Sequence, residues 1–112
     1  MARTPKNIIS AAQLTTGATT YYTAPANTSC IIRKITFMNT TAGAITVTVY
    51  LVPSGDTAGD DNTIAKTYSI AANTAWSCPD VEGHVLVAGD FVQALASAGT
   101  SITIIGSGTE VT

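Results

Sequence analysis

Residues 30–52 read CIIRKITFMNTTAGAITVTVYLV, two runs rich in β-branched side chains joined by the small, flexible segment 40–43. Along the second run apolar and polar residues alternate, which is the period of a half-buried β-strand. The stretch therefore predicts a β-hairpin. Its second strand places Ile45, Val47, Val49 and Leu51 on the core face and Thr46, Thr48 and Tyr50 on the opposite face.

The rest of the chain has the same composition. Short apolar or alternating runs, separated by Gly, Pro, Asn and Asp, recur at a spacing of about ten residues, as in sandwiches and barrels. No run shows the periodicity of an amphipathic helix. We predict an all-β fold, an antiparallel β-sandwich or jelly roll of about eight short strands. They are predicted at residues 19–23, 30–38, 45–52, 64–70, 73–78, 85–87, 91–96 and 102–105, with 106–112 as a further candidate.

The length of 112 residues suits one domain with one core. Residues 1–16 hold Arg3, Pro5 and Lys6 but only a weak apolar cluster. The sequence therefore predicts an extended amino-terminal arm over residues 1–16, with one short edge strand as the alternative, followed by a β-sandwich domain over residues 17–112.

Charged residues make up only 11% of the chain, against about 25% in typical soluble domains. A surface with so little charge is poorly protected against association. This favours a protein that works in an assembly, as a homo-oligomer or against a partner. The alternative is a surface solvated by threonine hydroxyls.

The net charge of −2 argues against nucleic acid and anionic membranes as partners, because both attract basic surfaces. No apolar run approaches the ~20 residues that span a bilayer. The opening MARTPKNIIS lacks the apolar stretch of a secretory signal. We predict neither a nucleic-acid nor a membrane partner.

Two cysteines, Cys30 and Cys78, lie far apart in the sequence. In a reducing cytoplasm the expectation is two free, buried thiols. A disulfide closing a long loop is the alternative.

The polar segment 53–63 reads PSGDTAGDDNT, and Asp56, Asp60, Asp61 and Asn62 offer the oxygen ligands that calcium uses. Their spacing does not match an EF-hand loop. A solvated loop is therefore the favoured interpretation, a metal site is the alternative, and no cofactor is predicted.

His84 is the single histidine, with Asp80 and Glu82 nearby and Ser77 and Cys78 as the closest nucleophiles. No catalytic signature surrounds it, and a triad depends on geometry that this spacing does not indicate. A turn or surface histidine is the favoured interpretation, and we expect no enzyme activity.

The larger aromatic residues offer either core packing or a platform for sugars. They are few and do not recur periodically, so core or subunit contacts are favoured over glycan binding. They are Tyr21, Tyr22, Tyr50, Tyr68 and Trp76.

Five residues are candidate partner contacts. Arg3 and Lys6 lie on the predicted arm, which can dock on an acidic neighbour or act as a solubilising tail. Arg33 and Lys34 are adjacent on a strand, so simple alternation points one cation to each face. Thr48 lies on the hairpin face predicted to be free.

Two segments carry a resemblance that covers the chain from about Tyr21 onward. They are MNTTAGAITVTVYLVPSG at residues 38–55 and VAGDFVQALAS at residues 87–97. The chain resembles small virion structural proteins encoded by tailed bacteriophages. That group consists of β-sandwich proteins of phage heads, tails and fibres, and it has no catalytic residues to transfer.

The resemblance implies a non-enzymatic virion protein, with a capsid decoration (cement) protein as the favoured form. Its partner would be the major capsid protein, and it would be assembled in the host cytoplasm onto the head surface. A tail, baseplate or fibre component is the alternative within this class. A receptor or glycan-binding module is the alternative outside it.

Overall fold

The computed structural model describes residues 2–112, which form nine β-strands and no helix. Met1, the first residue of the predicted arm, lies outside the described residues. The described chain thus has no helix long and apolar enough to cross a membrane. The strands are β1 (Arg3–Gln13), β2 (Thr19–Thr23), β3 (Ser29–Asn39), β4 (Ile45–Val52), β5 (Thr63–Ile70), β6 (Ala75–Ser77), β7 (Val85–Leu86), β8 (Phe91–Ala96) and β9 (Ile102–Val111).

The strands form two antiparallel sheets, which confirms the predicted β-sandwich. Sheet A has the order β1-β9-β3-β6, with β7 also paired to β3, and sheet B has the order β2-β8-β4-β5. Because β9 occupies one side of β3, β6 and β7 lie on the other and act as one interrupted edge strand. The pairs β1·β9, β2·β8, β3·β6/β7 and β4·β5 alternate between the sheets, which is jelly-roll topology.

The core lies between the two sheets, and the predicted hairpin contributes to it. Val47 and Val49 are fully buried, whereas Ile45 and Leu51 are half-buried at its margin. The predicted core face of β4 is therefore confirmed at its centre. Other large, fully buried side chains are Leu14, Ile32, Ile35, Phe37, Val52, Ile70, Val81, Val92, Ile102 and Ile104.

The segment predicted as an extended arm is instead mostly a strand of the sandwich. β1 pairs with β9 from Arg3 opposite Val111 to Gln13 opposite Thr103, and it buries Ile8 and Ile9. The local sequence did not predict a strand of this length, because its apolar residues are few. Its partner, β9, lies at the other end of the chain, where no local pattern could reveal the pairing.

Two glycines of β9 allow this packing. A Cβ at Gly106 would lie 3.1 Å from Ile9 Cδ1, and one at Gly108 would lie 2.7 Å from the Ile31 carbonyl oxygen. Larger residues would push β1 or β3 away. Residues 102–105 and 106–112, predicted as separate strands, therefore belong to one continuous strand that ends at Val111.

The opposite side of the sandwich is closed by aromatic side chains. Trp76 of β6 stacks on Phe37, with ring centroids 5.7 Å apart, and on Tyr68 of edge strand β5, with centroids 3.9 Å apart. The stack links sheet A to sheet B, which supports a packing role for Trp76. The exposed Lys66 also lies on β5, which forms one edge of sheet B.

The two cysteines are separate buried thiols. Cys30 lies opposite Leu86, whereas the Cys78 N–H donates to the Ile35 carbonyl, five residues further along β3. At ~3.3 Å per residue this separates them by about 16 Å, well beyond the ~7 Å between Cα atoms that a disulfide tolerates. The geometry thus favours the free-thiol prediction.

Candidate assembly surface

A β-bulge places Arg33 and Lys34 on the same face. The register of β3 against β9 shifts between Ile32 and Lys34, so Ser107 faces two residues of β3. Both cations are exposed, and the residues on either side, Ile32 and Ile35, are fully buried. The prediction of one cation on each face is therefore wrong, because the bulge interrupts the alternation.

These cations lie on the outer face of sheet A, which we define as the outward side chains of β1, β3, β7 and β9. Arg33 Nε donates to Thr109 Oγ1 at 3.3 Å. A shallow groove runs beside it and is lined mainly by Pro5 and Asn7 of β1, Arg33 of β3, and Ile105, Ser107 and Thr109 of β9.

The same face carries exposed apolar side chains. Val85 lies opposite Ile31 and is 53% exposed, and Ile105 lies opposite Thr36 and is 48% exposed. Apolar groups beside cations on a flat sheet form a surface that gains free energy when covered.

The two basic residues of β1 have different surroundings. Arg3 is exposed and pairs in register with Val111, on the outward side of the sheet. Lys6 Nζ instead lies 3.4 Å from Glu110 Oε1 at the margin of the core. Arg3 thus belongs to the outer face of sheet A, whereas Lys6 is held by an ion pair.

Glu110 is the acceptor of a contact between the sheets that the sequence did not reveal. The Tyr22 hydroxyl of β2 donates to Glu110 Oε2 at 2.6 Å. Burial, and then this hydrogen bond, raise the pKa of Tyr22 above its usual range. Strand alternation could have predicted the inward position of Glu110, because Glu110 continues the series of inward-facing residues Ile104, Gly106 and Gly108.

Thr48 is buried rather than free. It is 5% exposed, and its Oγ1 accepts a hydrogen bond from the Thr67 N–H at 3.0 Å. Thr67 has a φ of 48°, a left-handed conformation rare for a β-branched residue, where the register between β4 and β5 shifts. Thr48 therefore stabilises this bulge and does not belong to the assembly surface.

The segment with Asp56, Asp60 and Asp61 is a structured loop whose carboxylates are exposed. Asn62 closes it, donating through Nδ2 to the Thr57 carbonyl at 2.8 Å and accepting from the Gly59 N–H at 3.0 Å. Within residues 2–112 no three His, Cys, Asp or Glu residues are grouped as metal ligands.

His84 lines a cleft of about 330 Å³ between the sheets, together with Asp61 and Asp90. The Asp90 carboxylate accepts hydrogen bonds from the Ser54 and Val87 N–H groups, so it braces two turns. Burial raises the pKa of the Cys78 thiol, which keeps this candidate nucleophile in its less reactive protonated form.

This chain is similar to known proteins in its three-dimensional structure only. No protein-family model and no curated protein matches the chain. A chain in the structure of infectious bursal disease virus, Gx strain, matches with a TM-score of 0.53 and 17% identity. The match covers 97% of this chain and 32% of that one, so this chain spans about a third of the viral chain's length.

A second match comes from the structure described as Bacillus endospore appendages that form a novel family of disulfide-linked pili. It has a TM-score of 0.55 and 15% identity, and it covers 98% of this chain and 88% of that chain. The likeness is one of fold. The jelly roll described above thus also occurs in a chain of a virus structure and in a chain of a pilus structure.

Proposed function

We propose that this chain is a virion structural protein, and specifically a capsid decoration (cement) protein of a tailed bacteriophage. In this role it is assembled in the host cytoplasm and bridges neighbouring major capsid subunits on the head surface. The observation that carries the proposal is the outer face of sheet A, where Arg33, Lys34 and Arg3 lie beside the exposed Ile105 and Val85.

A sheet face suits this task because strand pairing fixes its backbone before docking, which lowers the entropic cost of binding. Each contact can be weak, since a particle presents many equivalent sites and repeated attachment adds avidity. The resemblance to phage virion proteins and the fold shared with a viral chain support the same role.

Copy number tests the proposal. Quantitative mass spectrometry of virions of the encoding phage should find this chain in numbers comparable to the major capsid protein. A few copies per particle would place it in the tail, and its absence from the virion would overturn the proposal.

Binding tests the surface. Ile105→Glu should remain folded, because the side chain is half exposed, and should lose co-sedimentation with capsids that lack the protein. Ser69→Glu, which alters an exposed residue of sheet B, is the matched control and should sediment like the unmodified protein. Equal sedimentation of both variants would exclude the outer face of sheet A as the docking surface.

A tail, baseplate or fibre component is the second candidate. It is favoured by the match to a chain of the pilus structure, which extends over 88% of that chain. The copy-number measurement distinguishes the two roles.

A further inference from the structure

The charges of this protein are separated in space. Residues 2–112 contain two ion pairs, Lys6 with Glu110 and Lys66 with Asp60. The other three cations, Arg3, Arg33 and Lys34, are unpaired and lie on the outer face of sheet A. A chain of net charge −2 thus gathers its three unpaired cations on one face.

The complementary surface is the acidic loop, which we define as residues 53–62 between β4 and β5 of sheet B. It carries Asp56, Asp60 and Asp61, and the Asp60 side chain is 92% exposed. The Asn62 bonds described above hold the loop. The Thr63 hydroxyl also donates to the Gly59 carbonyl at 2.6 Å. The Ser54 N–H donates to the Asp90 carboxylate at 2.9 Å. The loop is therefore preformed, and it presents three exposed carboxylates, of which Asp60 also pairs with Lys66.

We propose that the acidic loop of one copy docks on the outer face of sheet A of a second copy. The two surfaces belong to different sheets, and the outer face of sheet A points away from sheet B. One copy can therefore give its loop to one neighbour and receive the loop of another. Such a head-to-tail contact is heterologous and produces a closed ring or a filament, depending on the rotation between copies.

Charge and apolar area have separate roles in this contact. Exposed ion pairs contribute ~1 kcal/mol or less each, so they mainly set orientation and association rate. Covering Ile105 and Val85 supplies the apolar burial, with Pro53 and Ala58 of the loop as candidate counterparts. The contact involves only copies of this chain. It covers the same face of sheet A that is proposed above to meet the capsid, so one copy uses that face for one contact or the other.

Charge reversal with mixing tests the contact in purified protein. Sedimentation velocity at low salt should show oligomers that dissociate as salt is raised, because salt screens exposed charges over ~10 Å at 0.1 M. Arg33→Glu/Lys34→Glu and Asp60→Lys/Asp61→Lys should each weaken association by roughly 100-fold, because like charges then face each other. Mixing the two variants restores opposite charges at every junction and should restore assembly.

Asp80→Lys/Glu82→Lys is the matched control. It makes the same charge change on acids outside the loop, in the segment whose Gly83 N–H donates to the Ile32 carbonyl beside Arg33, so it adds positive charge near the face and should not weaken association. Circular dichroism and thermal melting verify that each variant folds, and Arg33→Gln/Lys34→Gln provides a milder version of the face variant. A monomeric unmodified protein at low salt would overturn the proposal, as would no recovery on mixing or equal loss in the control. These outcomes are separable from capsid binding, which is measured with particles.

Discussion

At the scale of single residues, hydrogen bonding decides which polar side chains the sandwich buries. Asn39 is fully buried, and its amide donates to the carbonyls of Gly43 at 2.8 Å and Ile70 at 3.0 Å. Its Oδ1 accepts from the Thr41 N–H at 2.9 Å, so one side chain holds the turn of the hairpin. No buried side-chain nitrogen or oxygen in the described residues lacks a partner.

Thr48→Asp is expected to be as damaging as Val47→Asp, because both place a carboxylate at a buried position of β4. The cost of an unpaired buried charge is ~3–5 kcal/mol, which approaches the stability of a small domain. Thr46→Asp, on the same face as Thr48 but half exposed, is the control and should cost much less. Urea denaturation measures all three, and a mild Thr48→Asp effect would show that this face is free.

Tyr22→Phe removes the hydroxyl that donates to Glu110 and should lower the free energy of unfolding by about 2 kcal/mol, as expected for a hydrogen bond to a charged group. Tyr21→Phe is the control, because the Tyr21 hydroxyl makes only a long, exposed bond of 3.4 Å to the Gln13 carbonyl. If the two variants unfold at the same urea concentration, the contact between Tyr22 and Glu110 does not stabilise the fold.

At the scale of elements, β1 is the strand whose role differs most from its local sequence. Its first residues contribute strand pairing and the Lys6–Glu110 ion pair at the margin of the core, whereas its centre inserts Ile8 and Ile9 into the core. The two halves of β1 should therefore contribute unequally to stability.

Truncation separates these halves. Deleting residues 1–6 should leave a folded sandwich, with the lost ion pair accounting for ~1 kcal/mol or less. Deleting residues 1–13 also removes two buried isoleucines, worth ~2 kcal/mol each, and exposes the edge of β9. We expect this longer deletion to unfold or aggregate. Circular dichroism and light scattering check it, and a stable monomer would show that β1 is dispensable.

At the scale of the whole molecule, burial links the stability of the fold to pH. Burial raises the pKa of the thiols of Cys30 and Cys78. The unfolded chain therefore releases these protons at a lower pH than the folded protein. The resulting stabilisation is complete below the unfolded thiol pKa of about 8.5 and is lost as pH rises through the folded values.

The free energy of unfolding should accordingly fall above about pH 8.5, by up to ~1.4 kcal/mol per pH unit for each thiol. Urea denaturation between neutral and alkaline pH measures the slope. Cys30→Ala/Cys78→Ala should flatten it, leaving the contribution of Tyr22 at higher pH, where phenols ionise. An unchanged slope in the double variant would assign the pH dependence to other groups.

The sequence by itself determined the all-β class, most strand positions and the core position of Val47, because alternation is a local property of the chain. Tertiary structure alone decided that β1 pairs with β9, since no local pattern relates residue 3 to residue 111. It also decided the outward position of both Arg33 and Lys34 and the burial of Thr48. At Arg33 and Lys34 the register imposed by β9 decides which face the side chains occupy. Thr48 keeps its predicted face and is buried there because the bulge of β5 brings the Thr67 N–H onto its hydroxyl.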